Sequence, residues 1–380
     1  MHDNPALVHS ANYVTKNADA KVTIVPLVCL DTTNVLGDSV KIPLSDDILK
    51  CGPRRAKFWL ESVQDLQQQF QAMSLPPSHG PANLVVAMGT PASVFDTILN
   101  QLKTQCQDPK LSSYDITVVC QDEVLKEERD AVQSVRSTLK QHAPKAKVET
   151  IWGSTLYELK DLPFEQSPDQ PLIDMPDVFT PFKNKVEKTC TIKKPLPAPK
   201  KALTMAFPKP DTPEYKAIES FLQQPFPTLG DLGYTEEQVK EAHSHDPRGV
   251  MEFKGGETAG LARMRDYIWG HDRQLLQKYF ETRNGMLGAN YSTKFSPWLA
   301  HGCLSPRMIA MEQAKYEEQV VANKSTYWVI YELLVRDHCV STTSTELSRS
   351  ATLKTILTIS VVSYAAEILL PQAWRLHLLS

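Results

Sequence analysis

Ser292-Thr293-Lys294-Phe295-Ser296-Pro297 is the stretch of this 380-residue chain best equipped for chemistry. It sets hydroxyls, an ammonium and unpaired backbone N–H groups ahead of a predicted helix. Helix N-termini of this kind attract phosphate oxygens through aligned dipoles. Lys294 would add a point charge, while Ser292, Thr293 and Ser296 would donate directed hydrogen bonds. Ser, Thr and Pro before a helix are ordinary capping residues, so taken alone the stretch is a weak signal that reads first as a cap.

Elsewhere the residues offer little. Gly89-Thr90-Pro91 follows a strand-like run and opens a helix, but it lacks the spacing of either phosphate-binding glycine motif and reads as a plain turn. His243-Ser244-His245 is the only tight histidine pair and reads as a solvated loop rather than a metal site. The seven cysteines are scattered without a CxxC pair, as expected of reduced thiols. A net charge of −3 is no signature of a nucleic-acid binder, so contact with phosphates would need a local basic surface. No secretory signal is visible. Ile356 to Leu370 is too short and too polar for a comfortable transmembrane span, and the expectation is a soluble, intracellular protein.

The elements that must carry these residues divide the chain in two. Val22–Leu30, Leu84–Met88, Ile116–Cys120 and Val148–Trp152 are continuous apolar runs suited to strands covered on both faces. Between them Arg54–Phe70, Ala92–Cys106 and Glu123–His142 have amphipathic helical spacing. This alternation predicts an α/β domain built on a doubly wound parallel sheet, with ligands beyond the strands' carboxyl ends. Pro163 to about Pro213 is rich in Pro and Lys and reads as an extended connector. Its cluster Lys193, Lys194, Lys200 and Lys201 is either a solvated charge run or a nucleic-acid contact. Beyond it Glu214–Gln223, Glu236–Ala242, Glu257–Trp269, Arg273–Arg283, Pro306–Tyr316 and Tyr327–Arg336 predict an all-α domain.

Longer motifs add a resemblance. TRNGMLG, YSTKFSPWLAHGCLSPR and STYWVIYELLVRD follow one another in the order and near the spacing seen in the cryptochrome/photolyase family, in particular its cryptochrome DASH branch. RRAKFWLESVQDL, DVFTPF, WGSTLYELKDLPF and FKGGETAGLARMRDYIW match as well, so the resemblance covers roughly residues 3–337. It implies an antenna-like α/β domain at 1–153, a linker at 154–213, a partial helical FAD-binding domain at 214–337 and a divergent tail at 338–380. Family members place a strand before the DNPAL-like segment that here begins at Asp3, so the chain resembles a family member without its first, central strand. Such a sheet would have exposed edges.

The resemblance also implies roles. Tyr279, Ser292, Thr293, Lys294, Phe295 and Ser296 would hold the FAD ribityl-diphosphate, with Arg336 facing the cofactor. Glu332 would hydrogen-bond a damaged pyrimidine pair and Arg283 a DNA phosphate. Glu123 lies near the acidic contact of a 5,10-methenyltetrahydrofolate antenna. The bland alternatives are a helix-surface charge for Arg283, an ion-pair partner one turn from Arg336 for Glu332, and a helix-start acid for Glu123. The implied function is blue-light-driven repair of pyrimidine dimers, preferentially in single-stranded DNA, or photoreception. The alternatives are a non-catalytic fragment that binds nucleotide, nucleic acid or protein through its α/β domain, and the product of an incomplete gene model. Two departures stand out: Val335 replaces the family's Trp, and the resemblance stops after Asp337. The Ser/Thr-rich sequence that follows is expected to pack loosely.

Overall fold

The computed structural model describes residues 1–16, 22–43, 45–73, 82–166, 172–201, 206–247, 249–270, 274–285 and 288–349. The α/β part contains α1 (Pro5–Lys16), β1 (Leu27–Leu30), β2 (Lys41–Ile42), β3 (Ser45–Leu49), α2 (Pro53–Gln71), β4 (Val85–Met88), α3 (Pro91–Cys106), β5 (Thr117–Gln121), α4 (Lys126–His142) and β6 (Lys147–Ile151). All four apolar runs form strands, although the first is shortened to its last four residues. β2 and β3 are a short antiparallel pair that no strong alternation announces.

The long strands pair in parallel, β1 with β4 and β5 with β6, but as two separate two-stranded sheets. A single unbroken sheet is therefore not seen among the described residues. The two pairs share one helical layer, since Ile98 of α3 packs into the β1–β4 core while Leu99 and Leu102 pack into the β5–β6 core. β5 keeps Val118, Val119 and Cys120 only half-buried, unlike the sealed Val85, Val86 and Ala87 of β4. The Gly89-Thr90-Pro91 turn is a capping turn, with Thr90 Oγ1 accepting the Ser93 N–H.

The connector is not wholly extended. Phe179–Thr189 forms α5, whose only proline, Pro181, lies in the first turn where a missing N–H costs nothing. Phe182 and Val186 recur at helical spacing and are fully buried, which fixes the helix on the second domain. Of the linker lysines, Lys193 is held by Asp161 at 2.5 Å and Glu158 at 3.4 Å, as a structural charge would be.

α6 (Pro213–Leu222) and α7 (Glu236–His243), expected in the second domain, pack instead on the α/β cores through Ala217, Ile218 and Ala242, and the helical cluster comprises α8 (Glu257–Trp269), α9 (Tyr279–Thr282), α10 (Ser296–Ala300), α11 (Pro306–Gln319) and α12 (Lys324–Arg349). Where one helix was expected over Arg273–Arg283, a 3-10 turn at Leu276–Lys278 leads into the single turn of α9, and Arg273 lies outside the described residues. α12 runs twelve residues past Asp337, against the expectation of loose packing there. Thr342 and Thr343 return their hydroxyls to the carbonyls of His338 and Cys339, while Ser341 and Ser344 are buried. The rest of the tail lies outside the described residues.

The two domains are sewn together by polar side chains. Gly255, Gly256 and Thr258 donate their N–H groups to Glu61 Oε2, Ser62 Oγ and Asp65 Oδ2, so α2 caps the start of α8 from the other domain. Asp3 accepts both arms of Arg307, at 2.9 and 2.7 Å, together with the Ser305 hydroxyl and the Leu196 N–H. Neither side chain of the Asp3–Arg307 pair reaches solvent appreciably.

Candidate functional site

The loop from Ala289 to Phe295 is organised by a residue whose role the sequence does not reveal. α8 turns Gly260, Leu261, Met264, Tyr267 and Ile268 inward, and Arg263 is buried among them at 8% exposure. Its guanidinium has five N–H donors, and all five are used. Nε donates to the Thr293 carbonyl at 3.1 Å, and Nη2 donates to the carbonyls of Ala289 at 2.8 Å and Ser292 at 3.2 Å. Nη1 donates to Asn290 Oδ1 at 3.1 Å and Asp266 Oδ2 at 3.3 Å. The Tyr267 ring lies beneath the guanidinium, 5.1 Å from its carbon.

Lys294, Phe295 and the neighbouring serines lie beside this anchor. Lys294 adopts φ +58°, a left-handed conformation, and Phe295 returns to the right-handed region before α10 begins. Phe295 is buried edge-on to Tyr267. Burial first, and then the charge of Arg263, lowers the Lys294 pKa. Among the described residues, the Ser292 and Ser296 hydroxyls and the Lys294 ammonium have no intramolecular partner. Excess positive charge and free donors at one half-buried place suit an anion, and this donor set fits a diphosphate.

Tyr279 links this loop to a second group. It is buried edge-on to Tyr267, and its hydroxyl donates to Glu332 Oε2, while Glu332 Oε1 lies 3.9 Å from Arg283 Nε. Glu332 keeps 45% of its side chain exposed, yet the protein packed around its carboxyl raises its pKa; the Tyr279 hydroxyl and Arg283 pull it back. Arg283 stands 4.4 Å from the Phe280 ring centre and 4.8 Å from that of Trp328. The Lys324 ammonium lies 3.5 Å from the same Phe280 ring, and Trp328 stacks on Tyr331 at 4.3 Å. Lys324, Trp328 and Tyr331 share one face of α12 by their i, i+4, i+7 spacing. That spacing was readable in the sequence; the approach of Phe280 from another element was not.

Arg336 and Glu123 form a third group, apart from the loop. Arg336 points to the segment that follows β6, where Nη1 donates to the Ser154 carbonyl, and its charge acts on Glu123. Glu123 follows β5 at the carboxyl end of the β5–β6 pair and accepts from Gln121 Nε2 at 2.7 Å. Burial, reinforced by Glu128, pushes its carboxyl up to about 7. Asp337 is buried beside Arg336, accepts the Tyr157 N–H at 3.3 Å and is likewise pushed up to about 7 by burial. No described contact joins Arg336 to Ser292–Ser296. Val335, in place of a Trp, is half-buried on α12. The described residues contain no group of three or more potential metal ligands and no helix long and apolar enough to cross a membrane.

Comparison with known proteins agrees with this architecture. The sequence pattern of the DNA photolyase family matches residues 1–200. The chain is 36% identical over 345 residues to the chloroplastic/mitochondrial cryptochrome DASH of Ostreococcus tauri, covering 88% of this chain and 56% of that protein. It is 36% identical over 339 residues to cryptochrome DASH of Danio rerio, covering 89% and 54%. The fold is similar to that of the Synechocystis sp. PCC6803 cryptochrome, with a TM-score of 0.68 and 32% identity over 90% of this chain and 59% of that one. The chain thus spans little more than half the length of the curated relatives it matches. By the family pattern over residues 1–200 and by 36% identity over nearly nine tenths of its length, this chain belongs to the cryptochrome/photolyase family, among the relatives of cryptochrome DASH.

Proposed function

We propose that this protein binds FAD and acts with blue light on DNA, either in repair of cyclobutane pyrimidine dimers with a preference for single strands, or as a photoreceptor. The observation that carries this reading is the Ala289–Ser296 loop, an electropositive, donor-rich segment fixed by a buried arginine and continuous through Tyr279 with a surface of cations and aromatic rings.

Ser292, Thr293, Lys294 and Ser296 would hold the diphosphate, with Phe295 and Tyr279 walling the pocket. Bound flavin supplies the light absorption and one-electron chemistry that side chains lack. The protein's own tasks are then to bury that group and to present a substrate to it. Glu332 would meet a flipped-out pyrimidine pair with its carboxyl, whose pKa the surrounding protein raises. Arg283 and Lys324 would neutralise backbone phosphates, and Trp328 and Tyr331 offer flat surfaces for unpaired bases. A single strand suits such a site because less pairing energy opposes extrusion of the base.

Glu123 supports a second ligand in the α/β domain. It lies beyond the carboxyl end of a parallel strand, where such sheets take their ligands, and a carboxyl with a pKa about 7 pairs well with the N–H groups of a folate ring. Seven free cysteines in the described residues favour a reducing, intracellular compartment.

The test is the visible spectrum of the purified 380-residue chain, with released flavin quantified after denaturation. Near-stoichiometric FAD is the expected result. A folded chain without flavin would reject the photochemical reading and leave nucleotide, nucleic-acid or protein binding through the α/β domain.

A further inference from the structure

We propose that Arg263 is a positioning residue for the anion-binding loop, an inference that rests on the flavin-diphosphate reading of Ser292–Ser296. Its guanidinium pulls the carbonyls of Ala289, Ser292 and Thr293 to one side. In a planar trans peptide the C=O and the following N–H point in opposite directions. The N–H groups of Asn290, Thr293 and Lys294 are therefore turned away from Arg263, and none donates to another described residue. One side chain thus sorts the loop into an acceptor face, which it satisfies, and a donor face left for a ligand.

The arrangement also explains a charge buried beneath a cationic loop. Arg263 is close enough to Lys294 to lower its pKa, a cost without benefit if the loop were merely structural. An anion on the donor face relieves both charges. Arg263 is too enclosed to touch that anion and has no donor to spare, so it acts through the loop backbone. No smaller cation can replace it: an ammonium has three donors, and these are not in a plane.

The experiment compares the full chain with Arg263→Lys and Arg263→Gln, titrating each with FAD and with riboflavin, which carries no diphosphate. The expected result is a loss of about tenfold or more in FAD affinity with riboflavin affinity unchanged, and a smaller FAD loss for Arg263→Lys. Equal losses for both ligands, or no loss for FAD, would overturn the proposal. A second readout needs no flavin. Trypsin cleavage after Lys294 should quicken by about tenfold in Arg263→Gln while other sites are cut at the wild-type rate, because local opening governs such cleavage. If the wild-type chain takes no FAD, the flavin reading fails by itself. Cleavage then decides the role of Arg263: faster cutting in the variant upholds it as the loop's anchor, and an unchanged rate removes it.

Discussion

The Tyr279 hydroxyl donates to Glu332 Oε2, joining a ring buried against Tyr267 to a carboxyl exposed on α12. The bond lowers the Glu332 pKa against the effect of its surroundings. Tyr279→Phe should therefore move the Glu332 titration further upward and cost about 0.5–1.5 kcal/mol of stability. Carbon-13 carboxyl shifts followed against pH in both proteins check the first point. A Glu332 titration that stays in place or moves down would show that the phenol does not set it.

Lys324 and Trp328 should contribute to single-strand binding in different ways. Lys324→Ala should weaken binding of an oligothymidylate and reduce the slope of log K against log salt by about 0.7, because one phosphate contact is lost. Trp328→Ala should weaken binding by about 1–3 kcal/mol and leave the salt slope unchanged. Identical salt slopes in all three proteins would mean that Lys324 contacts no phosphate.

Asp337 gives a pH signature. Its folded pKa, about 7, lies above the unfolded value of about 4. The stability it contributes is thus complete below pH 4 and is lost as pH rises through 7. His338, next in sequence and lowered by burial, works in the opposite sense, so the informative quantity is a difference between proteins. Asp337→Asn should gain on the wild type by on the order of 2 kcal/mol between pH 5 and pH 8. Parallel melting temperatures across that range would contradict it.

The seam between the domains is tight at Gly255. A Cβ there would lie 2.0 Å from the Phe58 carbonyl oxygen and 2.7 Å from Ser62 Oγ. Gly255→Ala should cost about 1–3 kcal/mol, since α8 must shift away from α2. At Gly52 nothing lies within 4 Å, and Gly52→Ala should change stability by less than about 0.5 kcal/mol. Urea unfolding of the two variants checks the contrast; a larger loss at Gly52 would refute it.

Much of this was legible in the sequence, for physical reasons. Continuous apolar runs located β1, β4, β5 and β6, and amphipathic spacing located most helices to within a few residues. The α5 helix was hidden because its lysines and its setting in a proline-rich stretch suggest a connector, while Phe179, Phe182 and Val186 reveal a helix only once a partner surface exists. Arg263 stood inside a recognised motif without a role, since an arginine on an apolar helix face announces burial but not what it binds. The approach of the Arg336 charge to Glu123 depends on how the chain's distant segments dock, and local patterns carry no such information.

The Asp3–Arg307 pair also sets a schedule for folding. Its partners are 304 residues apart in the chain, so Asp3 is synthesised long before Arg307. At ribosomal speeds of about 5–20 residues per second, Asp3 waits roughly 15–60 s for its guanidinium. Until then the early carboxylate remains in water and the α/β half must hold itself together. This part of the seam closes only after α11 has been made, whereas the α2–α8 part needs no residue beyond Thr258.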